Sequence, residues 1–256
     1  MTCSAIVVGT VEKRTSRVLL SLSSKVYIVV TVTPVVLALL LSFFIGFGAD
    51  YDTLLNYEWT CGKALLPSIS RIINLPKERT VCNLLVLFHV VLRPLITAHY
   101  YNICRQPTYT AKHPIIFLLL LKAIPLSSFA ELAFTIALTV VGERENPNLH
   151  VVFFCGFCVS TNLYLLLVTV LFRFSRHYSI HDNAPRSFKI KTFLVAANFL
   201  LLPSISIFFV LYWQFCVKFA YNVFALLEYA TVFTMLSYHS TAYMDINLTY
   251  KLIATK

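Results

Sequence analysis

Three ionisable side chains, His89, Glu131 and Glu228, sit inside strongly apolar stretches of this 256-residue chain. Such groups are costly in hydrocarbon, so they mark either chemistry or internal pairing. Counted from the same end of the helices that would carry them, each lies about ten residues in, or roughly 14 Å at 1.5 Å per residue. Arg93 follows His89 by four residues and shares its helix face about one turn deeper. Two readings stand side by side. One is a polar pocket in which His89 or a carboxylate works as general acid or base. The other is an Arg–Glu and His–Glu network that holds helices together.

A second set, His99, Lys122, His239 and Asp245, lies nearer the opposite side. Glu228 and His239 are 11 residues apart, about three turns, so Tyr221, Glu228, Met235 and His239 form one column. Lys122 is expected to snorkel toward the headgroups.

Membrane helices are the elements that must position these groups. Hydrophobic residues make up 58% of the chain and charged ones only 12%, with a mean hydropathy of +0.76. A soluble domain is about 45–50% apolar and about 25% charged, and a chain this short could not hide the excess in one core. Soluble, coiled-coil and disordered classes are excluded. Apolar windows at 26–47, 80–101, 114–141, 150–172, 190–212 and 219–242 each suffice for a span of about 20 residues. Lys122 and Pro125 interrupt the third. No period-2 alternation recurs at barrel spacing, so the predicted fold is all-α, a six-helix bundle over 26–245.

The first 25 residues carry Lys13, Arg14, Arg17 and Lys25 without a leading apolar core, which reads as a basic cytosolic tail rather than a cleavable signal. An even number of spans puts the 246–256 tail on the same side, with cytosolic loops at 102–113 and 173–189 and a lumenal loop at 48–79. Sorting charges this way, with Lys191 among the cytosolic cations, places the whole net charge of +10 on the cytosolic face. The positive-inside rule expects that, so the charge does not call for a nucleic-acid partner. The sequon Asn247-Leu248-Thr249 falls on the cytosolic side and is expected to be unused.

Cys61 in the lumenal loop and Cys216 in the turn between spans five and six face the same compartment. They either bridge, tying the loop over the bundle mouth, or remain free thiols. Cys155-Gly156-Phe157-Cys158 has redox-motif spacing but lies in an apolar helix, where the cysteines read as small packing residues. His177 and Asp182 have an acyltransferase-like spacing without the blocks that accompany it, and read as part of a basic loop. There is no Gly-x-Ser-x-Gly elbow, phosphate-binding glycine loop or His-Glu-x-x-His, and no convincing metal set.

Several stretches recur together in one known family. They are Phe224-Ala225-Leu226-Leu227-Glu228-Tyr229, then Ser237-Tyr238-His239-Ser240-Thr241-Ala242-Tyr243-Met244-Asp245, and in the first loop Cys61-Gly62 and Leu66-Pro67-Ser68-Ile69-Ser70. His89, Arg93, Tyr100, Asn102, Glu131 and Cys216 also fall at matching residue types. The chain resembles the post-GPI attachment to proteins factor two family, within the larger group that includes the damage-regulated autophagy modulators. Met244 stands where that family often has Trp, which weakens aromatic anchoring.

The resemblance implies a multi-pass protein of the Golgi or endoplasmic reticulum that acts in GPI-anchor lipid remodelling. Its step is reacylation of the lyso-GPI intermediate at sn-2 with a saturated, stearoyl-type chain. No cofactor is expected beyond an acyl donor such as acyl-CoA or a phospholipid. The partners are membrane lipids, lyso-GPI-anchored proteins and other remodelling proteins, not nucleic acid. The catalytic candidates are His89, Glu131, Glu228 and His239; the substrate- or lipid-contacting candidates are Arg93, Pro67, Ser68, Ser70, Tyr229 and Asp245. The alternative is a non-catalytic scaffold or lipid-binding regulator that assists another enzyme.

Overall fold

The computed structural model describes residues 16–55, 61, 65–108 and 113–255. Expectations for Lys13 and Arg14, for Gly62, and for Lys112 and Lys256 lie outside these residues. In chain order the elements are β1 (Ser16–Ser23), α1 (Ser24–Gly48), α2 (Tyr51–Leu55), α3 (Ile69–Ile72), α4 (Pro76–Cys104), α5 (Pro114–Val140), α6 (Pro147–Phe174), α7 (Arg176–Ile180), α8 (Ala184–Trp213), α9 (Lys218–Ser240), α10 (Ala242–Asp245) and β2 (Thr249–Thr255). Among the described residues six helices are long and apolar enough to cross a membrane: α1, α4, α5, α6, α8, and α9 continued by α10. The protein is a six-span all-α membrane protein.

Local chemistry sets the helix starts. Prolines open α4, α5 and α6, where a missing N–H costs nothing. Ser23 Oγ caps Val26 N at 3.3 Å and Asn146 Oδ1 caps Leu149 N at 3.0 Å. α1, α4, α6 and α8 run past their apolar windows because their end turns are polar yet still helical.

Prolines 34, 94, 125 and 203 lie inside helices. In two proline-containing turns a carbonyl is met by a neighbouring helix: Thr31 O by His89 Nδ1 at 2.6 Å, and Leu92 O by Tyr27 Oη at 2.7 Å.

The helices form a ring in the order α1, α4, α5, α6, α8, α9, which closes back on α1. Its outer face is apolar, with Phe44 79%, Val91 76% and Ile115 74% exposed, a surface suited to hydrocarbon. The main core fills the half nearest the chain ends, where Tyr100, Ile124, Tyr164, Leu165, Phe172, Val195 and Tyr238 pack together. This is the terminal end; the opposite one, carrying the connection from α1 to α4, is the loop end.

The terminal segments, read from the sequence as tails, pair as an antiparallel ribbon from Ser16↔Thr255 to Ser23↔Thr249. Ser24 seals the junction: its Oγ donates to Ile246 O at 2.9 Å and its N–H to Leu248 O at 2.8 Å.

Candidate functional site

The loop-end connection is strapped to α9 almost residue by residue. Asn222 Oδ1 accepts the N–H groups of Leu65 at 2.9 Å and Leu66 at 3.0 Å. Tyr229 Oη donates to Pro67 O, and Tyr221 Oη donates to Ser68 Oγ at 2.9 Å. Glu228 Oε2 accepts Ile69 N at 2.7 Å. Ser68 in turn caps α3 through Arg71 N at 3.3 Å. Cys61 and Cys216 are joined by a disulfide, which fastens the same connection to the turn between α8 and α9.

Under this strap α6 and α8 part. At the terminal end Leu165, Val168, Leu171 and Phe172 of α6 share a core with Leu194 and Val195 of α8. Toward the loop end they instead line a cavity of about 270 Å³. Its walls are His150, Val151, Phe154 and Cys155 of α6, Phe209, Val210 and Trp213 of α8, Tyr221, Phe224 and Glu228 of α9, and Ser68, Ser70 and Arg71 of the strap. Cys155, Val210 and Trp213 are exposed, so the cavity opens sideways onto the apolar flank of the bundle.

One hydroxyl lies at the centre of the polar wall. Ser70 Oγ donates to Glu228 Oε1 at 3.2 Å and lies 3.2 Å from His150 Nε2. His150 Nδ1 is 2.8 Å from the Val141 carbonyl, which can only accept, so Nδ1 carries hydrogen and Nε2 is left to exchange a proton with Ser70. Arg71 lies 3.4 Å from Glu143 and its guanidinium covers the Tyr221 ring.

The turn that supplies Val141 O is itself pinned. Arg79 bonds Glu145 through both terminal guanidinium nitrogens, at 2.8 and 2.9 Å, and reaches Val140 O at 2.7 Å. The Arg79 hydrogen bonds and the Gly142 N–H hold the Glu145 carboxyl below its usual range. A serine beside a histidine oriented by a third group is the arrangement of an activated nucleophile or general base.

The groups that share one depth in the sequence separate here. Glu228 turns up to the strap. Glu131 Oε2 pairs with Arg93 at 3.0 Å and its Oε1 with His239 Nε2 at 3.3 Å. His89 and Arg93 are both buried on one face of α4, but His89 bonds Thr31 O. The column Tyr221, Glu228, Met235 and His239 is buried throughout, with Glu228 at the cavity and His239 at the Arg93–Glu131 pair. Of the candidates from sequence, Ser68, Ser70 and Glu228 line the cavity, and Pro67 and Tyr229 hold the strap; His89, Arg93, Glu131 and His239 lie elsewhere.

The second set divides too. His99 Nε2 meets Tyr250 Oη at 2.7 Å, and Lys122 is exposed. Asp245 receives Tyr100 Oη at 2.7 Å and pairs with Lys191. Lys191, placed by the sequence reading among the cytosolic cations, is instead fully buried, because Asp245, Ser187 and Thr241 satisfy its ammonium. Cys158 is buried as packing, but Cys155 faces the cavity. His177 packs on His181, with ring centroids 4.0 Å apart.

His150 was missed in the sequence, where it marks only the start of a span. The signal was its place one turn into a helix, at the depth where a membrane helix leaves hydrocarbon.

The Frag1/DRAM/Sfk1/Cwh43P N-terminal domain matches residues 23–249. A Caenorhabditis elegans protein named "Post-GPI attachment to proteins factor 2" is 34% identical over 115 residues, which cover 44% of this chain and 43% of that one. Its Caenorhabditis briggsae counterpart is 29% identical over 187 residues, 70% of this chain and 69% of the relative. A Xenopus tropicalis protein named "Acyltransferase PGAP2" is 30% identical over 190 residues, 70% of this chain and 71% of the relative. No solved structure matches. With a match from the cap of the first span to the ribbon after the last, the chain belongs to the Frag1/DRAM/Sfk1/Cwh43P family.

Proposed function

We propose that this protein acts in fatty-acid remodelling of GPI anchors and reacylates the lyso-GPI intermediate at sn-2 with a saturated, stearoyl-type chain. The names of the relatives supply the pathway and, in one case, the chemistry. The observation that carries the reading is the side-opening apolar cavity, with Ser70, His150 and Glu228 on its polar wall. Charge sorting supports the loop end as lumenal, the side on which GPI-anchored proteins reside, in Golgi or endoplasmic-reticulum membrane.

Depth favours this cavity over the deeper groups. His150 is three residues past Pro147, the first residue of α6, so it lies about 5 Å below the helix end. An sn-2 hydroxyl just beneath the headgroups reaches that level, whereas the Arg93–Glu131–His239 cluster would require the lipid to sink toward mid-membrane. In the reaction His150 Nε2 takes the proton of the attacking hydroxyl and returns it to the group that leaves the acyl carbonyl. Phe154, Phe209 and Phe224 offer the apolar wall along which the chain lies.

The test uses purified protein in liposomes with a lyso-GPI protein and labelled stearoyl donors, acyl-CoA in one arm and phosphatidylcholine in the other. Label transfer that His150→Ala and Glu228→Gln abolish, in proteins that keep the wild-type melting temperature, is the expected result. Binding of the lyso-lipid with no transfer from either donor would assign an accessory role instead.

A further inference from the structure

We propose that Ser70 is a nucleophile and carries the acyl chain as a serine ester between donor and acceptor. This deepens the function proposed above and rests on it. Three observations point to the covalent route.

The first is position. Ser70 is partly exposed on the cavity wall, while His150 and Glu228 are buried on either side of it. Its Oγ lies between the two, at 3.2 Å from each. A group needed only for binding would not require a base with a fixed tautomer behind it. The Val141 carbonyl fixes that tautomer and leaves Nε2 open to accept; at rest the Ser70 hydroxyl donates to Glu228 Oε1, and rotation about its Cβ–Oγ bond brings the proton to Nε2, 3.2 Å from Oγ.

The second is support. Ser70 stands on a segment clamped to α9 by Asn222, Tyr221, Tyr229 and Glu228, so its hydroxyl is held by secondary structure rather than by a free loop. Rigid support of this kind keeps a reacting atom in place.

The third is space. A cavity of about 270 Å³ is near the lower limit for holding one drug-sized ligand. Donor and acceptor chains share this one wall, and a serine ester lets them use it in turn.

The steps balance. Ser70 Oγ attacks the acyl carbonyl of an acyl thioester or phospholipid ester, and its proton passes to His150 Nε2. The carbonyl's bond to the thiol sulfur or glycerol oxygen breaks, and His150 protonates the departing group. The lyso-lipid hydroxyl then gives its proton to His150 and attacks the serine ester. The bond to Oγ breaks and Oγ takes the proton back.

The experiment incubates purified protein with labelled stearoyl-CoA or phosphatidylcholine and no acceptor, then denatures it and counts label on the protein. The expected result is label that resists neutral hydroxylamine, is absent from Ser70→Ala, and leaves when lyso-GPI protein is added. Hydroxylamine separates this ester from a thioester on Cys155, which shares the wall. Ser70→Cys is expected to take label in a hydroxylamine-labile form, and Ser70→Ala to lose transfer by roughly a thousandfold or more. Transfer by Ser70→Ala at the wild-type rate, or hydroxylamine-labile label on the wild type, overturns the serine ester and leaves the acyltransferase reading standing. Absence of transfer and label in the wild type with both donors overturns both.

Discussion

Lys191 and Asp245, 54 residues apart in sequence, meet as a fully buried ion pair where α8 packs against α10. The Lys191 ammonium also donates to Ser187 Oγ at 2.8 Å and Thr241 Oγ1 at 2.6 Å, and the carboxylate accepts Tyr100 Oη at 2.7 Å. Removing one member of such a pair strands the other. Lys191→Met is expected to cost about 3–5 kcal/mol, and Lys191→Met with Asp245→Asn to recover part of that loss. Melting temperatures in detergent read both, and a single variant as stable as the wild type would deny the pair its role.

The Arg93–Glu131–His239 cluster is expected to act through pairing. Glu131→Gln removes the carboxylate that Arg93 and His239 share and is expected to lower stability by about 3–5 kcal/mol. Transfer activity then falls in proportion to the folded fraction, measured by size exclusion alongside turnover. Lost turnover at unchanged stability would move the chemistry to this deeper cluster.

Asn222→Ala leaves the N–H groups of Leu65 and Leu66 without their acceptor. Hydrogen exchange across 65–72 is expected to rise about fivefold or more, the equivalent of about 1 kcal/mol per lost bond, while α5 is unaffected. Equal exchange in both proteins would mean that the strap is held elsewhere.

The disulfide spans a sequence separation of 155 residues. Cys61→Ser or Cys216→Ser is expected to cost about 2–5 kcal/mol and to abolish the mobility difference between reduced and non-reduced protein on a gel. Persistence of that difference in either variant would place the bridge at another cysteine.

Burial, helped by the neighbouring His181, lowers His177 below its usual value, while Asp245 opposes this and Lys191 adds to it. Below about pH 6.5 the unfolded chain takes up this proton more readily than the folded one, so stability falls as the pH drops and is level above about pH 7. His177→Gln is expected to flatten that slope between pH 7.5 and 5.5 in thermal melts. An identical slope in the variant would exclude His177 as its source.

The spans were legible because hydrocarbon demands long unbroken apolar runs, which a single pass along the sequence detects. The site was only partly legible. Ser70 and Glu228 are 158 residues apart, and their contact depends on how the loop folds back, which no local pattern encodes. His150 reads as a boundary because its partners, Ser70 and Val141, belong to other segments. Lys191 was misplaced for a related reason: a cation at the start of a span ordinarily faces headgroups, and its counter-ion belongs to another helix. The ribbon of β1 and β2 was missed because its two strands lie at opposite ends of the sequence and become meaningful only when paired.

On the acyl-transfer function proposed above, the sideways opening between α6 and α8 has a consequence for chain selectivity. A fissure that faces hydrocarbon fills with ordinary lipid tails when no substrate is present, so entry exchanges one chain for another. Leaving lipid for a greasy wall brings no hydrophobic gain, since tails are as apolar as leucine. Discrimination between a straight and a bent chain must therefore arise from how well its contour fits the aromatic walls, and substitutions that reshape Phe154, Phe209 or Phe224 should redirect the preference without changing overall greasiness.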